Sequence, residues 1–238
     1  MANEMLRVEG LQAWYGDSHV LHGIDFHVAE GELVALLGRN GAGRTSILRS
    51  IMGIGCTRRD GAITIRGQAT GGLKPHMIAR LGVGYCPEER GIYASLTVEE
   101  NLLLAPKVAA GGMELTELYQ MFPNLHERRK SQGTRLSGGE QQMLAMARIL
   151  RTGARLLLLD EITEGLAPVI VQTLGRVLVR LKEQGYTIVL VEQNFRFTSK
   201  LADRSYVIER GEVATTFSRD QLHERKSDIE TYLGVSVG

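Results

Sequence analysis

Three short stretches carry residue types and spacings suited to phosphate chemistry. Gly38 to Ser46 reads GRNGAGRTS, the phosphate-loop spacing G-x-x-x-x-G-K-[ST] with Arg44 in the lysine position. Glycines at 38, 41 and 43 permit backbone angles and close approaches that a side chain forbids. Successive N–H groups can then surround one anion. Thr45 offers its hydroxyl to a magnesium ion, and Arg44 lies against the outer phosphates. Leu156 to Glu161 reads LLLLDE, two acids at the C-terminal end of a leucine strand, where ligands bind in open α/β sheets. One acid near a phosphate loop can hold magnesium, and the other can orient or deprotonate an attacking water. Leu136 to Arg148 reads LSGGEQQMLAMAR, with Ser137-Gly138-Gly139 as a helix entry. Two glycines leave that helix end open, so its N–H groups can meet an anion arriving from outside the chain.

The elements that must position these groups are written in the flanking residues. Leu33-Val34-Ala35-Leu36-Leu37 suits a strand buried on both faces of a parallel sheet, and residues 45–51 suit a helix. After the SGG entry, Met143, Met146, Ala147 and Leu150 form one apolar stripe at helical spacing. Residues 168–184 make a second helix, with Pro168 at its start, Gly185 beyond its end, and Ile170, Leu174, Val177, Leu178 and Leu181 on one face. Residues 187–191, TIVLV, return as a strand. Residues 1 to about 85 read as an antiparallel β-rich part carrying the phosphate loop, with GAITIRG as an edge strand. Residues from about 88 to 150 read as mainly helical: Thr97 and Glu100 stand at capping-box spacing, Gly111-Gly112 marks a loop, and Pro123 interrupts the helical stretch beyond it. From about Phe217 the chain is short and polar, with one amphipathic turn.

Composition narrows the class. Across 238 residues, 43% are hydrophobic and 23% charged, enough for a sizeable core in one domain with an inserted subdomain. The net charge of +1 argues against a nucleic-acid surface. Cys56 and Cys86 have no CxxC spacing and suit a reducing compartment. No apolar run approaches a membrane span and the N-terminus has no signal-peptide core, so the expected place is the cytoplasm, with any membrane work done by docking on another chain. His19, His22 and His27 are the close histidine group; with no helix face or acid to complete a metal site, they read as structural.

The glycine loop, the LSGGE stretch and the LLLLDE strand, in this order, resemble the nucleotide-binding domain of ATP-binding cassette (ABC) transporters, and the resemblance covers nearly the whole chain. YGDSHVLHGI, PEER with LTVEENL, DEITEGLAP and VEQN narrow it to the ATPase subunits of branched-chain amino-acid importers, of the LivF type. The fold implied is α/β: a P-loop NTPase of the ABC ATPase kind, with a mixed core sheet and flanking helices, an antiparallel β subdomain and an inserted α-helical subdomain at about 88–150, all within one nucleotide-binding domain. The resemblance implies ATP and Mg²⁺ as ligands. Tyr15 matches the aromatic that stacks on adenine, with Trp14 a neighbouring candidate. Gly38, Arg39, Asn40, Gly41, Ala42, Gly43, Arg44, Thr45 and Ser46 match the phosphate cradle. Thr45 and Asp160 match the magnesium ligands, and Glu88 in the Q-loop position joins them, since a carboxylate beside phosphate needs the metal between. Glu161 matches the catalytic carboxylate and Gln193 the switch residue, usually histidine. Ser137, Gly138, Gly139 and Glu140 match the signature that caps the ATP of a neighbouring subunit. Glu164-Gly165-Leu166-Ala167 matches the D-loop crossing between subunits.

The departures have physical content. Gln193 can donate a hydrogen bond but cannot carry an imidazolium charge. Arginine at 44 keeps the charge and binds phosphate through parallel N–H bonds, but is bulkier than an ammonium. Nucleotide binding is expected to survive and turnover to be modestly lower, with Arg44→Lys as the test. The expected partners are integral-membrane permease subunits, a second related ATPase (heterodimer before homodimer) and, indirectly, an extracytoplasmic solute-binding protein, at the cytoplasmic face of the inner membrane. The expected activity is ATP hydrolysis powering an importer of branched-chain amino acids. Urea, amides and aromatic carboxylates are alternative solutes. A weakly hydrolysing, ATP-sensing subunit and an ABC protein without a permease are alternative roles.

Overall fold

The computed structural model describes residues 3–224 and Ile229. Two sheets organise it. One is antiparallel, in the order β2-β1-β4-β5, from β1 (Glu4–Tyr15), β2 (Ser18–Ala29), β4 (Arg58–Ile65) and β5 (Gln68–Ala69). GAITIRG, expected at an edge, lies mostly in β4, which is flanked by β1 along its length and by the two residues of β5 at its end. The second sheet runs β10-β9-β3-β8-β7-β6, from β3 (Leu33–Leu37), β6 (Val83–Cys86), β7 (Leu156–Asp160), β8 (Thr187–Val191), β9 (Arg204–Glu209) and β10 (Glu212–Ser218). Its strands are parallel except for the β9–β10 hairpin. The sheet is therefore mixed, as the sequence implies.

The helices are α1 (Arg44–Met52), α2 (Pro75–Arg80), α3 (Val98–Leu104), α4 (Leu115–Met121), α5 (Pro123–Glu127), α6 (Gly138–Arg151), α7 (Pro168–Glu183), α8 (Phe195–Thr198) and α9 (Arg219–Glu224). α3 to α6 fall within the segment expected to be helical, and α3 begins with the complete Thr97–Glu100 capping box. The polar end expected from Phe217 begins instead as the last residues of β10, because Phe217 and its neighbours pair with β9. Beyond Glu224, Ile229 apart, that end lies outside the described residues.

β3, β7 and β8 are buried along their whole length. Their alternating side chains feed two different cores, as the two-residue period of a strand dictates. Leu33, Ala35, Leu37, Leu157, Leu159, Ile188 and Leu190 join a core shared with the helical segment and α7. Val34, Leu36, Leu156, Leu158, Val189 and Val191 join a core shared with α1 and the antiparallel sheet. α6 is buried on more than the one stripe its sequence shows, Gln142, Leu144 and Ala145 included, because α3, α4, α5 and β6 all pack against it.

Candidate nucleotide site

β3 stops at Leu37, and the chain turns through the glycine loop into α1. Gly43 is the N-cap of α1 at φ 105°, and a Cβ there would sit 2.8 Å from a Leu21 methyl, so both conformation and space call for glycine. No side chain caps α1 and no acid stands in its first turn. Its first N–H groups thus have no side-chain acceptor, at the end of the helix where the dipole favours negative charge.

The ends of β7 and β8 arrive beside this point. Thr45 Oγ1 donates to Asp160 Oδ1 at 3.0 Å, and the Tyr85 hydroxyl, from β6, donates to Asp160 Oδ2 at 3.1 Å. Burial pushes the Asp160 carboxyl above its ordinary range. The two hydrogen bonds oppose that rise, while Glu161 and Glu88 add to it. Glu161 follows at φ 46°, a conformation costly for a non-glycine residue. Its carboxylate is held from two sides, by Arg44 Nη2 on Oε1 at 2.6 Å and by Gln193 Nε2 on Oε2 at 2.8 Å. A hydrogen bond with the Glu161 carboxyl raises that of Glu164.

Arg44 is the cation of the group. Its side chain is 4% exposed and that of Glu161 8%. Burial lowers its pKa, opposed by Glu161 and Asp160, yet a guanidinium stays charged in proteins. Nη2 also reaches Asn40 Oδ1 at 3.3 Å, while Nη1 is buried with no hydrogen-bond partner among the described residues.

One cleft of about 340 Å³ collects most of the expected residues: Asn40, Gly41, Ala42, Gly43, Arg44, Thr45, Ser46, Glu88 and Glu161, together with Val20 and Glu164. Asp160 and Gln193 reach it through Thr45 and Glu161. Gly38, Arg39 and Tyr15 are not among its lining residues. The Tyr15 hydroxyl is buried without a hydrogen-bond partner among the described residues, and a Cβ built on Gly55 would lie 3.8 Å from the Tyr15 ring. Trp14 is engaged on the sheet surface, stacked on His19 at 4.3 Å with the Arg58 guanidinium 4.2 Å from its ring centre. His19 in turn meets His22, Nδ1 to Nδ1 at 3.2 Å.

Ser137 to Glu140 also lie outside the cleft, at the start of α6. Ser137 Oγ accepts from Glu140 N at 3.3 Å, and Glu140 Oε2 accepts from Ser137 N at 2.8 Å. This capping box uses two donors that the glycines alone would have left open. The Arg90 guanidinium lies over Gly138, where a Cβ would be 3.2 Å from it, and its Nη1 donates to Gln141.

The oxygen set of Thr45, Asp160 and Glu88 suits a hard divalent cation such as Mg²⁺. The way neighbouring acids raise Asp160 and Glu164 marks a place that gains from added positive charge.

Four residues of the site were not singled out for it from the sequence: Val20, Tyr85, Glu164 and Glu192. Glu192 is 2% exposed and accepts from Thr163 N and Thr163 Oγ1, both at 2.9 Å. It carried a readable signal, an acid directly after the apolar run Ile188–Val191, much as Asp160 follows four leucines.

Comparison with known proteins agrees with this geometry. The family pattern described as ABC transporter matches residues 21–164. The chain is 36% identical to the high-affinity branched-chain amino acid transport ATP-binding protein BraG of Pseudomonas aeruginosa, covering 97% of this chain and all of that one. It is 34% identical to a probable branched-chain amino acid transport ATP-binding protein, LivF, of Archaeoglobus fulgidus, covering 97% and 99%. It is also 31% identical to the lipopolysaccharide export system ATP-binding protein LptB of Haemophilus influenzae, covering 97% of each. Among solved structures, an ATP-binding subunit of an ABC transporter superposes with a TM-score of 0.80 at 26% identity, over 97% of this chain and 99% of that one. A cleft at the uncapped start of α1, acids in its lining and likeness to these subunits over nearly the whole chain converge: the chain belongs to the ABC transporter family, as an ATP-binding subunit with ATPase activity.

Proposed function

We propose that this subunit hydrolyses Mg²⁺-bound ATP to drive an importer of branched-chain amino acids or related small solutes. The observation that carries the chemistry is the convergence of Arg44, Glu161 and Gln193 beside the uncapped start of α1. The N–H groups of the loop and of α1 receive the phosphates, and Arg44 Nη1 adds a charge-assisted donor. Thr45 and Asp160, with Glu88 nearby, would hold the magnesium ion, which neutralises charge on the phosphates. Glu161 orients the attacking water and accepts its proton; Arg44 and Gln193 keep its carboxylate aimed. Val20, in the cleft lining, takes the base, with Tyr15 beyond that lining as the aromatic that would stack on it.

The signature at Ser137 to Glu140 lies apart from the cleft of its own chain, which supports capping of a neighbour's nucleotide instead. With the box in place, Gly138 N–H, Gly139 N–H and the Ser137 hydroxyl proton are the donors left to offer. A related companion ATPase is the favoured neighbour, a second copy the alternative. ABC ATP-binding subunits work with membrane permease subunits, and no helix among the described residues is long and apolar enough to cross a membrane. In this reading the subunit docks on a permease at the cytoplasmic face. The amino-acid reading is supported by likeness to BraG and LivF; likeness to LptB, at lower identity, favours lipopolysaccharide export as the second reading. The test is uptake of labelled leucine by proteoliposomes holding the assembled transporter. ATP-driven uptake that Glu161→Gln abolishes supports the proposal. ATP hydrolysis stimulated by lipopolysaccharide, with no amino-acid uptake, sinks it.

A further inference from the structure

The turn that carries Glu161 is held from behind by a group with no role so far. Glu161 stands at φ 46°, its N–H bonded to Val191 O at 2.9 Å. The chain then tightens, Glu164 N reaching Glu161 O and Leu166 N reaching Thr163 O, both at 3.3 Å. Two side chains from the end of β8 grip this turn. Gln193 holds the Glu161 carboxylate at 2.8 Å, and Glu192, its neighbour, accepts from both the N–H and the hydroxyl of Thr163 at 2.9 Å. The links close a ring: Glu161, Ile162, Thr163, Glu192, Gln193 and back to Glu161. Thr163 is 7% exposed and Glu192 2%, so water offers little replacement for either partner.

We infer that Glu192 is a positioning residue for hydrolysis: its buried carboxylate clamps Thr163, and the clamp fixes both the aim of Glu161 and the start of the segment Glu164-Gly165-Leu166-Ala167. Thr163 presents two donors and each takes one carboxylate oxygen. A leucine at 192 leaves both without an acceptor, whereas a glutamine still accepts from the N–H and can donate to the hydroxyl, which turns to accept. The turn at Glu161 is costly by itself and persists only where its surroundings over-determine it. Misplacing a catalytic group by about 1 Å costs roughly a hundredfold in rate. The same clamp ties the switch residue to the segment that meets the neighbouring subunit, so the two move together.

This inference rests on the ATPase reading of the site. The experiment compares steady-state ATPase of the assembled transporter in wild type, Thr163→Ser, Thr163→Val, Glu192→Leu and the Thr163→Val/Glu192→Leu double variant. Thr163→Val is expected to lower kcat by roughly 10- to 100-fold with KM for ATP within about twofold. Thr163→Ser, which keeps both donors, retains most of the wild-type rate. Glu192→Leu falls like Thr163→Val, and the double variant falls no further than the worse single one. Equal losses in the Ser and Val variants, losses confined to KM, or additive losses overturn the clamp. If Thr163→Val does not fold, Glu192→Leu against Thr163→Ser decides: wild-type kcat in Glu192→Leu overturns the inference. A wild-type complex that hydrolyses no ATP at all refutes the parent reading instead, and is told apart by that control.

Discussion

α1 and α6 both begin at a glycine-rich stretch, yet they begin differently. α1 has no side-chain cap, a left-handed glycine before its first turn and no acid in that turn. α6 starts with Ser137 and Glu140 locked in a reciprocal box. The first is left without any acceptor from its own side chains; the second has already satisfied two of its donors. The lesson concerns where binding strength resides. On the proposed reading, α1 meets nucleotide within its own chain and keeps its donors unspent, while α6 secures itself first and offers the remainder to a neighbour.

The largest effect that sharpens this contrast is on stability, because the cleft side concentrates buried charge while the α6 tip does not. Burial pushes the Glu192 carboxyl up to about 7 from an ordinary 4.5, with its hydrogen bonds to Thr163 working against the shift. Between those values the folded chain binds more protons than the unfolded one. Stability therefore falls as pH rises from 4.5 to 7 and is lowest above 7. Full titration is worth about 3 kcal/mol. Urea midpoints of wild type should fall across that window relative to those of Glu192→Gln, while Glu140→Gln leaves the wild-type slope in place. Parallel slopes in wild type and Glu192→Gln would remove the buried charge from the account.

Next comes binding by the isolated chain. Gly43→Ala forces a Cβ onto a left-handed residue and toward Leu21, and calorimetry should show ATP affinity lower by roughly 10- to 100-fold. Gly138→Ala meets only the movable Arg90 guanidinium and should stay within about threefold of wild type in the same assay. If both variants lose affinity equally, the two helix ends do not divide the work as described.

Arg44→Lys is smaller in effect. The sequence alone favours lysine here, with turnover modestly lower for arginine. The 2.6 Å bond to Glu161 shifts that expectation, since one ammonium cannot hold Glu161 and a phosphate with a rigid fork. Turnover of the assembled complex should fall about tenfold, consistent with one charge-assisted hydrogen bond. A rise would favour the view from sequence.

Smallest is Ser137→Ala, which should lower stability by about 1 kcal/mol through loss of the cap. Its thermal midpoint should drop without change in ATP affinity of the isolated chain.

Much of the fold was legible because local rules settle it. Leu33–Leu37 is apolar throughout, Thr187–Val191 is apolar after Thr187, and both are buried throughout. Pro168 and Gly185 bracket α7, which ends at Glu183. Thr97 and Glu100 form the box that their spacing implies. Of the site, the glycine loop and Asp160-Glu161 were legible by type and position. The contacts that stayed hidden depend on strand order. Tyr85 meets Asp160 because β6 lies beside β7, 75 residues away in sequence, and nothing local specifies that neighbour. The Arg44–Glu161 pair depends likewise on β8 alone standing between β3 and β7. GAITIRG read as an edge because two residues, Gln68–Ala69, are too few to announce a strand.

β3 serves two masters, since Leu33, Ala35 and Leu37 look toward the helices while Val34 and Leu36 look toward the antiparallel sheet. Damage to either half of the interior is therefore transmitted to the same short peptide, the one on which the phosphate cradle is mounted. A methyl-deleting change at Leu36 and one at Leu37, on opposite sides of the sheet, should loosen amide protection at the same handful of loop residues.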